Sequence, residues 1–170
     1  VVRYGNVMGS KGSVIPFFKN QSKFGKLPIT NKNMTRFNIS IEEGVSLILF
    51  AIKYSIGGEV FIPKIPSYKI LDVAKAICPK CDIEIVGIRP GEKIHEEMIS
   101  RDDAPHTYTY DKYYKILPSI HNWSRDPIRI GKGKSVPDGF SYTSDNNEEW
   151  MSVESLKLWI TSNTKKIGTI

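Results

Sequence analysis

Apolar and polar positions along this chain change period several times, and each change marks an element. Val1 to Val7 is rich in β-forming residues and breaks at Gly5-Asn6. Ser13 then stands where a helix cap belongs, ahead of Val14, Ile15, Phe17 and Phe18, with Pro16 tolerated in the first turn and Gly25 closing the unit. Leu27-Pro-Ile-Thr30 reads as a short strand and Asn31-Lys-Asn33 as a turn. The strongest helix signal follows: Ser40-Ile-Glu-Glu43 is a capping box, Val45, Ile48, Leu49 and Ile52 recur at helical spacing, and Gly57-Gly58 ends the run. Glu59 to Ile62 predicts a strand, Leu71 to Ile77 an apolar helix stopping before Pro79, and Ile83 to Ile88 a buried strand. This βαβα order predicts an α/β fold.

Beyond Lys93 the pattern predicts a short helix through His95, Glu96, Glu97 and Met98, then a tyrosine-rich, proline-punctuated region from Asp102 to Tyr142 with sparse regular structure. A last helix is capped by Ser152, with Met151 and Leu156 spaced as a hydrophobic staple. No internal repeat or low-complexity tract is present.

Composition narrows the class. The 170 residues, 40% hydrophobic and 25% charged, suffice for one domain with a real core. Lys and Arg number 24 against 18 Asp and Glu, a formal charge of +6 that favours an anionic partner. The basic residues are dispersed, which argues against nucleic acid as that partner. The longest apolar stretch, Val45 to Ile52, is too short to span a bilayer, so no membrane association is expected. With only two cysteines and no disulfide framework, reduced thiols and a cytoplasmic location are expected.

Three polar clusters can hold a ligand. Gly5, Gly9 and Gly12 have the spacing GxxxGxxG, which is not the dinucleotide fingerprint. The turn nevertheless offers Asn6 at a strand's carboxyl end, then backbone N–H groups and the Lys11 ammonium; a bare glycine turn is the alternative. Arg89-Pro-Gly-Glu-Lys93 also follows a strand. Arg89 can fork onto a phosphate and Glu92 can accept from a ribose diol, unless the loop is only a salt-bridged surface turn. Thr30 and Met34-Thr-Arg-Phe37 precede the long helix, where Arg36 either meets a diphosphate or pairs with Glu42 or Glu43. Three other patterns are weaker. Cys78-Pro-Lys-Cys81 follows a helix, where no helix N-terminus lowers a thiol pKa, and a zinc site would need His95, His106 or His121 from afar. Tyr108 to Lys112 matches YxxxK only by spacing, and no nucleophile accompanies the histidines.

Taken in order, Val2 to Phe18, Ile29-Thr30 with Met34 to Phe37, Phe61 to Ser67 and Gly87 to Glu96 resemble the inverting UDP-N-acetylglucosamine 4,6-dehydratases, extended short-chain dehydrogenase/reductase proteins of pseudaminic acid synthesis. The resemblance extends through Asn122 to Asp126 and Ser144 to Asn147. It implies the carboxyl-terminal part of a Rossmann-type fold: residues 1–25 end the nucleotide-binding domain, 26–100 form the substrate-binding portion interleaved with its last strands, and 101–170 are an extension. It further implies NADP against Val7, Met8, Gly9, Ser10 and Lys11, and UDP-N-acetylglucosamine held by Asn6, Thr30, Arg36, Arg89 and Glu92. Lys11 stands where relatives commonly have arginine. The family's chemistry oxidises C4, removes the C5 proton, eliminates water from C6 and reprotonates C5 on the opposite face. Its cofactor glycine loop and catalytic Asp, Lys and Tyr belong upstream of Val1, so the expectation here is no catalytic residue, no metal, and a need for an amino-terminal half or homologous subunit, in a family of homo-oligomers. A stand-alone UDP-sugar-binding module and a related capsule or O-antigen enzyme are the alternatives.

Overall fold

The structure is a computed structural model that describes residues 1–118 and 126–168. His121 and the Asn122 to Arg125 stretch lie outside the described residues. The elements run β1 (Asn6–Val7), α1 (Val14–Gln21), β2 (Lys26–Ile29), β3 (Thr35–Ile39), α2 (Ile41–Tyr54), β4 (Val60–Pro63), β5 (Ser67–Lys69), α3 (Ile70–Ile77), β6 (Asp82–Ile85), β7 (Glu97–Ile99), β8 (Thr107–Thr109), β9 (Tyr113–Ile116), α4 (Pro127–Ile130), β10 (Lys134–Ser135), β11 (Tyr142–Thr143) and α5 (Val153–Ser162).

Parallel pairing organises the half that carries the polar clusters. β1 runs parallel to β3 with Val7 opposite Ile39, and β2 runs parallel to β6 with Ile29 opposite Ile85. Parallel neighbours end on the same side, so the loops after β2 and β6 emerge together. The tail adds antiparallel structure: β8 and β9 form a hairpin, extended by β10 on one edge and β4 on the other. The fold is α/β with a mixed set of small sheets.

Three apolar clusters hold these layers. Ile15 and Phe18 of α1, Leu27 and Ile29 of β2, Val73 and Ala74 of α3, and Leu156 and Ile160 of α5 form the largest. Phe37, Ile39, Ile62, Met98, Ile99 and Tyr142 form a second around β3. Leu47, Ala51 and Phe61 form a third between α2 and β4. Each fully buried large side chain contributes about 1.5–3 kcal/mol, and Phe18, Phe37 and Phe61 are all buried.

Several local expectations are met for their stated reasons. Ser40 and Glu43 close the capping box of α2, with Glu43 N–H donating to Ser40 Oγ at 3.2 Å and Ser40 N–H to Glu43 Oε2 at 2.8 Å. Ser152 caps α5, and Leu156 is buried against the same cluster that Met151 touches.

The helix expected from Val45, Ile48, Leu49 and Ile52 forms, with that apolar stripe exposed, Ile52 to 74%, and Gly44, Leu47 and Ala51 buried. Other expectations are corrected. Ser13 precedes α1 without a side-chain cap bond. Residues 95–98 are not helical: His95 lies in a bend and Glu97 and Met98 are in β7, because the tail supplies a partner strand, with Ser144 N–H donating to the Glu96 carbonyl at 2.8 Å and β11 pairing with β7. The region after Asp102 is ordered by pairing between strands distant in sequence, a signal that periodicity within a short window does not carry. The expected strand Ile83 to Ile88 is shorter and more open, with Ile85, Val86 and Ile88 about half exposed. Cys78 and Cys81 are not free thiols. They form a disulfide with Cα atoms 5.4 Å apart, closing the turn between α3 and β6.

Candidate functional site

A cleft of about 420 Å³ opens where the parallel pairs end, lined by Asn6 to Ser10, the start of α1, Pro28 to Thr30, Met34, Arg36, Tyr68, Ile70, Arg89 and Glu92. Two sequence-distant edges therefore meet. One is the turn after β1, tied down by Met8 N–H donating to the Ile39 carbonyl at 3.0 Å. Backbone shape sets this turn: a Cβ on Gly5 would overlap Phe37, and Gly9 takes φ of +75° against Trp159 and Ile167.

The opposite edge is the lip made by Thr30 and residues 89–92. Val86 N–H donates to the Ile29 carbonyl at 3.0 Å, keeping β2 and β6 in register up to the lip. Thr30 Oγ1 donates to Glu92 Oε1 at 3.4 Å, and Arg89 N–H donates to Glu92 Oε2 at 3.2 Å. The carboxylate is thus aimed by two donors of the same lip, and its oxygens keep lone pairs for further donors such as vicinal hydroxyls. It is not consumed in a salt bridge with the Arg89 side chain, which lies at the exposed rim of the cleft.

Arg36 reaches the cleft but is chiefly a clamp. Its NH1 donates to the carbonyls of Thr35 at 2.7 Å and Ile94 at 2.9 Å, and its NH2 donates to that of Lys93 at 2.8 Å. Nε lies 3.3 Å from Glu96 Oε1. Pairing with Glu42 or Glu43 is replaced by this arrangement: Glu43 caps α2 and Glu42 binds Lys166. The planar fork suits several carbonyls at once, which a lysine could not match.

Of the ten residues singled out in the sequence, Asn6, Val7, Met8, Gly9, Ser10, Thr30, Arg36, Arg89 and Glu92 line this cleft. Lys11 does not. The turn carries it outward, exposed, beside Gly168, whose N–H donates to the Gly9 carbonyl at 2.8 Å. Met8 lines the wall while only 6% exposed.

Sequence reasoning missed Tyr68 and the apolar wall of Phe17, Phe18 and Ile70. No periodic signal distinguishes them from core. Tyr68 is 2% exposed, and burial pushes its phenol up to about 12, so it stays a neutral hydrogen-bonding group at physiological pH. Among the described residues no cluster of three or more His, Cys, Asp or Glu could hold a metal, and no helix is long and apolar enough to cross a membrane. Tyr108 lies in β8 and Lys112 in the following turn, so they share no helical face.

Residues 1–118 match the family described as polysaccharide biosynthesis protein. The chain is 52% identical over 163 residues to the inverting UDP-N-acetylglucosamine 4,6-dehydratase of Campylobacter jejuni, covering 92% of this chain and 49% of that protein. It is 37% identical over 168 residues to the UDP-glucose 4-epimerase of Rickettsia canadensis, covering 96% of this chain and 49% of that one. The X-ray structure of Pen from Bacillus thuringiensis superposes with a TM-score of 0.81 at 31% identity, over 96% of this chain and 49% of that one. The chain spans about half the length of the curated relatives it matches. With the match extending over most of its residues and both edges of the cleft falling within it, the chain belongs to the polysaccharide biosynthesis protein family.

Proposed function

We propose that this chain is the sugar-nucleotide-holding part of an inverting UDP-N-acetylglucosamine 4,6-dehydratase, a lyase serving pseudaminic acid synthesis. The observation that carries the reading is the meeting of Asn6, Thr30, Arg36, Arg89 and Glu92 on one cleft beside the Val7 to Ser10 turn, supported by 52% identity to a relative of that name. In this reading Arg89 at the rim neutralises the diphosphate and Glu92, aimed by Thr30, accepts from the ribose. Asn6 bonds the sugar near the reacting carbons. The apolar wall of Phe17, Phe18 and Ile70 excludes water from one side.

The turn after β1 fits a planar cofactor ring, since Gly5 and Gly9 hold its backbone against Phe37 and Trp159 and leave residues 7–10 facing the cleft. Bound there, NADP would supply hydride exchange with the sugar. The chain's own part is to hold the substrate through several steps, so that binding energy far from the reacting carbons fixes their position. We assign no residue of this chain as acid, base or hydride-assisting tyrosine.

In this reading those groups lie in the part of the relatives that this chain does not match, supplied by an amino-terminal half or by a homologous subunit. The exposed apolar stripe Ile41, Val45, Ile48, Leu49 and Ile52 on α2 supports such a partner, because an unpartnered stripe of that length is unfavourable in water. Cytoplasmic residence is proposed from the nucleotide-sugar substrate; the Cys78–Cys81 disulfide argues the other way, so the cysteine count no longer supports it. The test is turnover. The chain alone with NADP and UDP-N-acetylglucosamine should form no 4-keto-6-deoxy sugar, whereas addition of the first half of the Campylobacter relative should restore it. Turnover by the chain alone would overturn the assignment.

A further inference from the structure

A polar chain links the tail to the ligand lip. Thr35 and Ser144 are buried, at 3% and 0% exposure, and their hydroxyl oxygens lie 2.7 Å apart. Thr35 Oγ1 is 2.8 Å from His95 Nδ1, and Ser144 Oγ accepts from Glu96 N–H at 2.9 Å. The other ring nitrogen, Nε2, lies 3.9 Å from Asp145 Oδ2. Ser144 lies beyond the residues that the family match covers.

The direction of this chain is fixed by counting protons. Ser144 already accepts from Glu96, so its own proton finds an acceptor in Thr35. The Thr35 proton is then free to go only to His95 Nδ1, which must be bare, and the ring proton sits on Nε2 facing Asp145. An Nδ1–H ring would donate to Thr35 Oγ1 and leave one of the two hydroxyl protons, of Thr35 or of Ser144, without a described acceptor between buried residues, which is costly.

The segment so held is the one that carries the lip. Residues 93 and 94 give their carbonyls to Arg36, Thr35 N–H donates to the Ile94 carbonyl at 3.0 Å, and Glu92 follows directly upstream. The charged groups around the imidazole and its segment are Asp145 from the tail, Glu96 from its own stretch and Arg36 from β3.

We propose that Ser144, Thr35 and His95 form a positioning relay, by which the tail fixes Glu92 and Arg89 for the nucleotide through a hydrogen bond that the Thr35 hydroxyl gives to a bare His95 Nδ1. This rests on the UDP-sugar reading. The test is calorimetric titration of the 170-residue chain with UDP-N-acetylglucosamine, together with ¹⁵N spectra of the imidazole ring.

Thr35→Val should weaken binding about tenfold, and Thr35→Ser should restore it. His95→Asn, which keeps an acceptor at the Nδ1 position, should bind like the wild type. The ring spectrum should show the Nε2–H form. Wild-type affinity in Thr35→Val, failure of Thr35→Ser to restore binding, or an Nδ1–H ring would overturn the relay. If the wild-type chain gives no heat with the ligand, the UDP-sugar reading fails. The relay is then upheld by an Nε2–H ring with amide shifts across residues 89–96 in Thr35→Val, and overturned by their absence.

Discussion

Replacing Arg36 separates a clamp from a ligand contact. In the clamp account its guanidinium spends itself on three main-chain carbonyls, of Thr35, Lys93 and Ile94, and on Glu96, with its own side chain only 12% exposed. Hydrogen bonds to a charged group contribute roughly 1.5–3 kcal/mol each, but bonds made by one side chain are coupled and do not add. The Lys93 carbonyl is near water and recovers solvation, whereas that of Ile94 is only partly exposed. Arg36→Met should therefore cost about 3 kcal/mol of folding stability. Arg36→Lys should cost about 2 kcal/mol, because one ammonium cannot span the carbonyls that a fork reaches. Urea unfolding gives both values from shifts in midpoint at constant slope. If Arg36 served mainly as a charge for the diphosphate, Lys would keep stability within about 0.5 kcal/mol of wild type, and only Met would lose nucleotide affinity. That outcome would refute the clamp.

Other outcomes follow from the same contacts. Leu49→Glu with Ile52→Glu should leave the unfolding midpoint nearly unchanged, since both side chains are more than half exposed, yet abolish capture of the amino-terminal half of the Campylobacter relative in a pull-down. Burial raises the Glu59 carboxyl, but hydrogen bonds from Gly57, Ser55 and Ile56 outweigh it and hold the group below its ordinary value of 4.5. Its stabilising effect is complete above that value and is lost as pH falls through the lower folded value, so Glu59→Gln should be less stable at pH 7 and show a flatter acid limb in urea midpoints. Reducing Cys78–Cys81 should cost about 2 kcal/mol by the loop-entropy relation for so short a loop, read as a lower thermal midpoint with dithiothreitol that Cys78→Ser with Cys81→Ser does not show.

The local signals that were legible involve residues near one another in sequence. Ser40 and Glu43 announce the start of α2 because a capping box is complete within one turn. Arg89, Glu92, Thr30 and Asn6 were legible because strand ends carry ligand loops in parallel α/β sheets, and the register of β2 with β6 brings three of them to one lip. What stayed hidden depends on distant partners. His95 and Glu96 read as helical until Ser144 pairs with their segment, and no window of local periodicity contains both. Which face of α2 is buried was hidden for a related reason: its apolar stripe is real, but Phe61 and Val2 pack with Leu47 and Ala51. Lys11 looked equivalent to its neighbours in the glycine turn, yet the contact with Gly168 turns it away.

Calorimetric titration of the chain alone with UDP-N-acetylglucosamine at pH 8 tests the central claim most directly, that the cleft between Asn6 and Glu92 holds a UDP sugar. Saturable one-to-one heat is expected in competition with UDP but not with free N-acetylglucosamine, weakened at least tenfold by Arg89→Ala and by Glu92→Gln. Binding that is unchanged in both variants, or no binding by a folded chain, would contradict it.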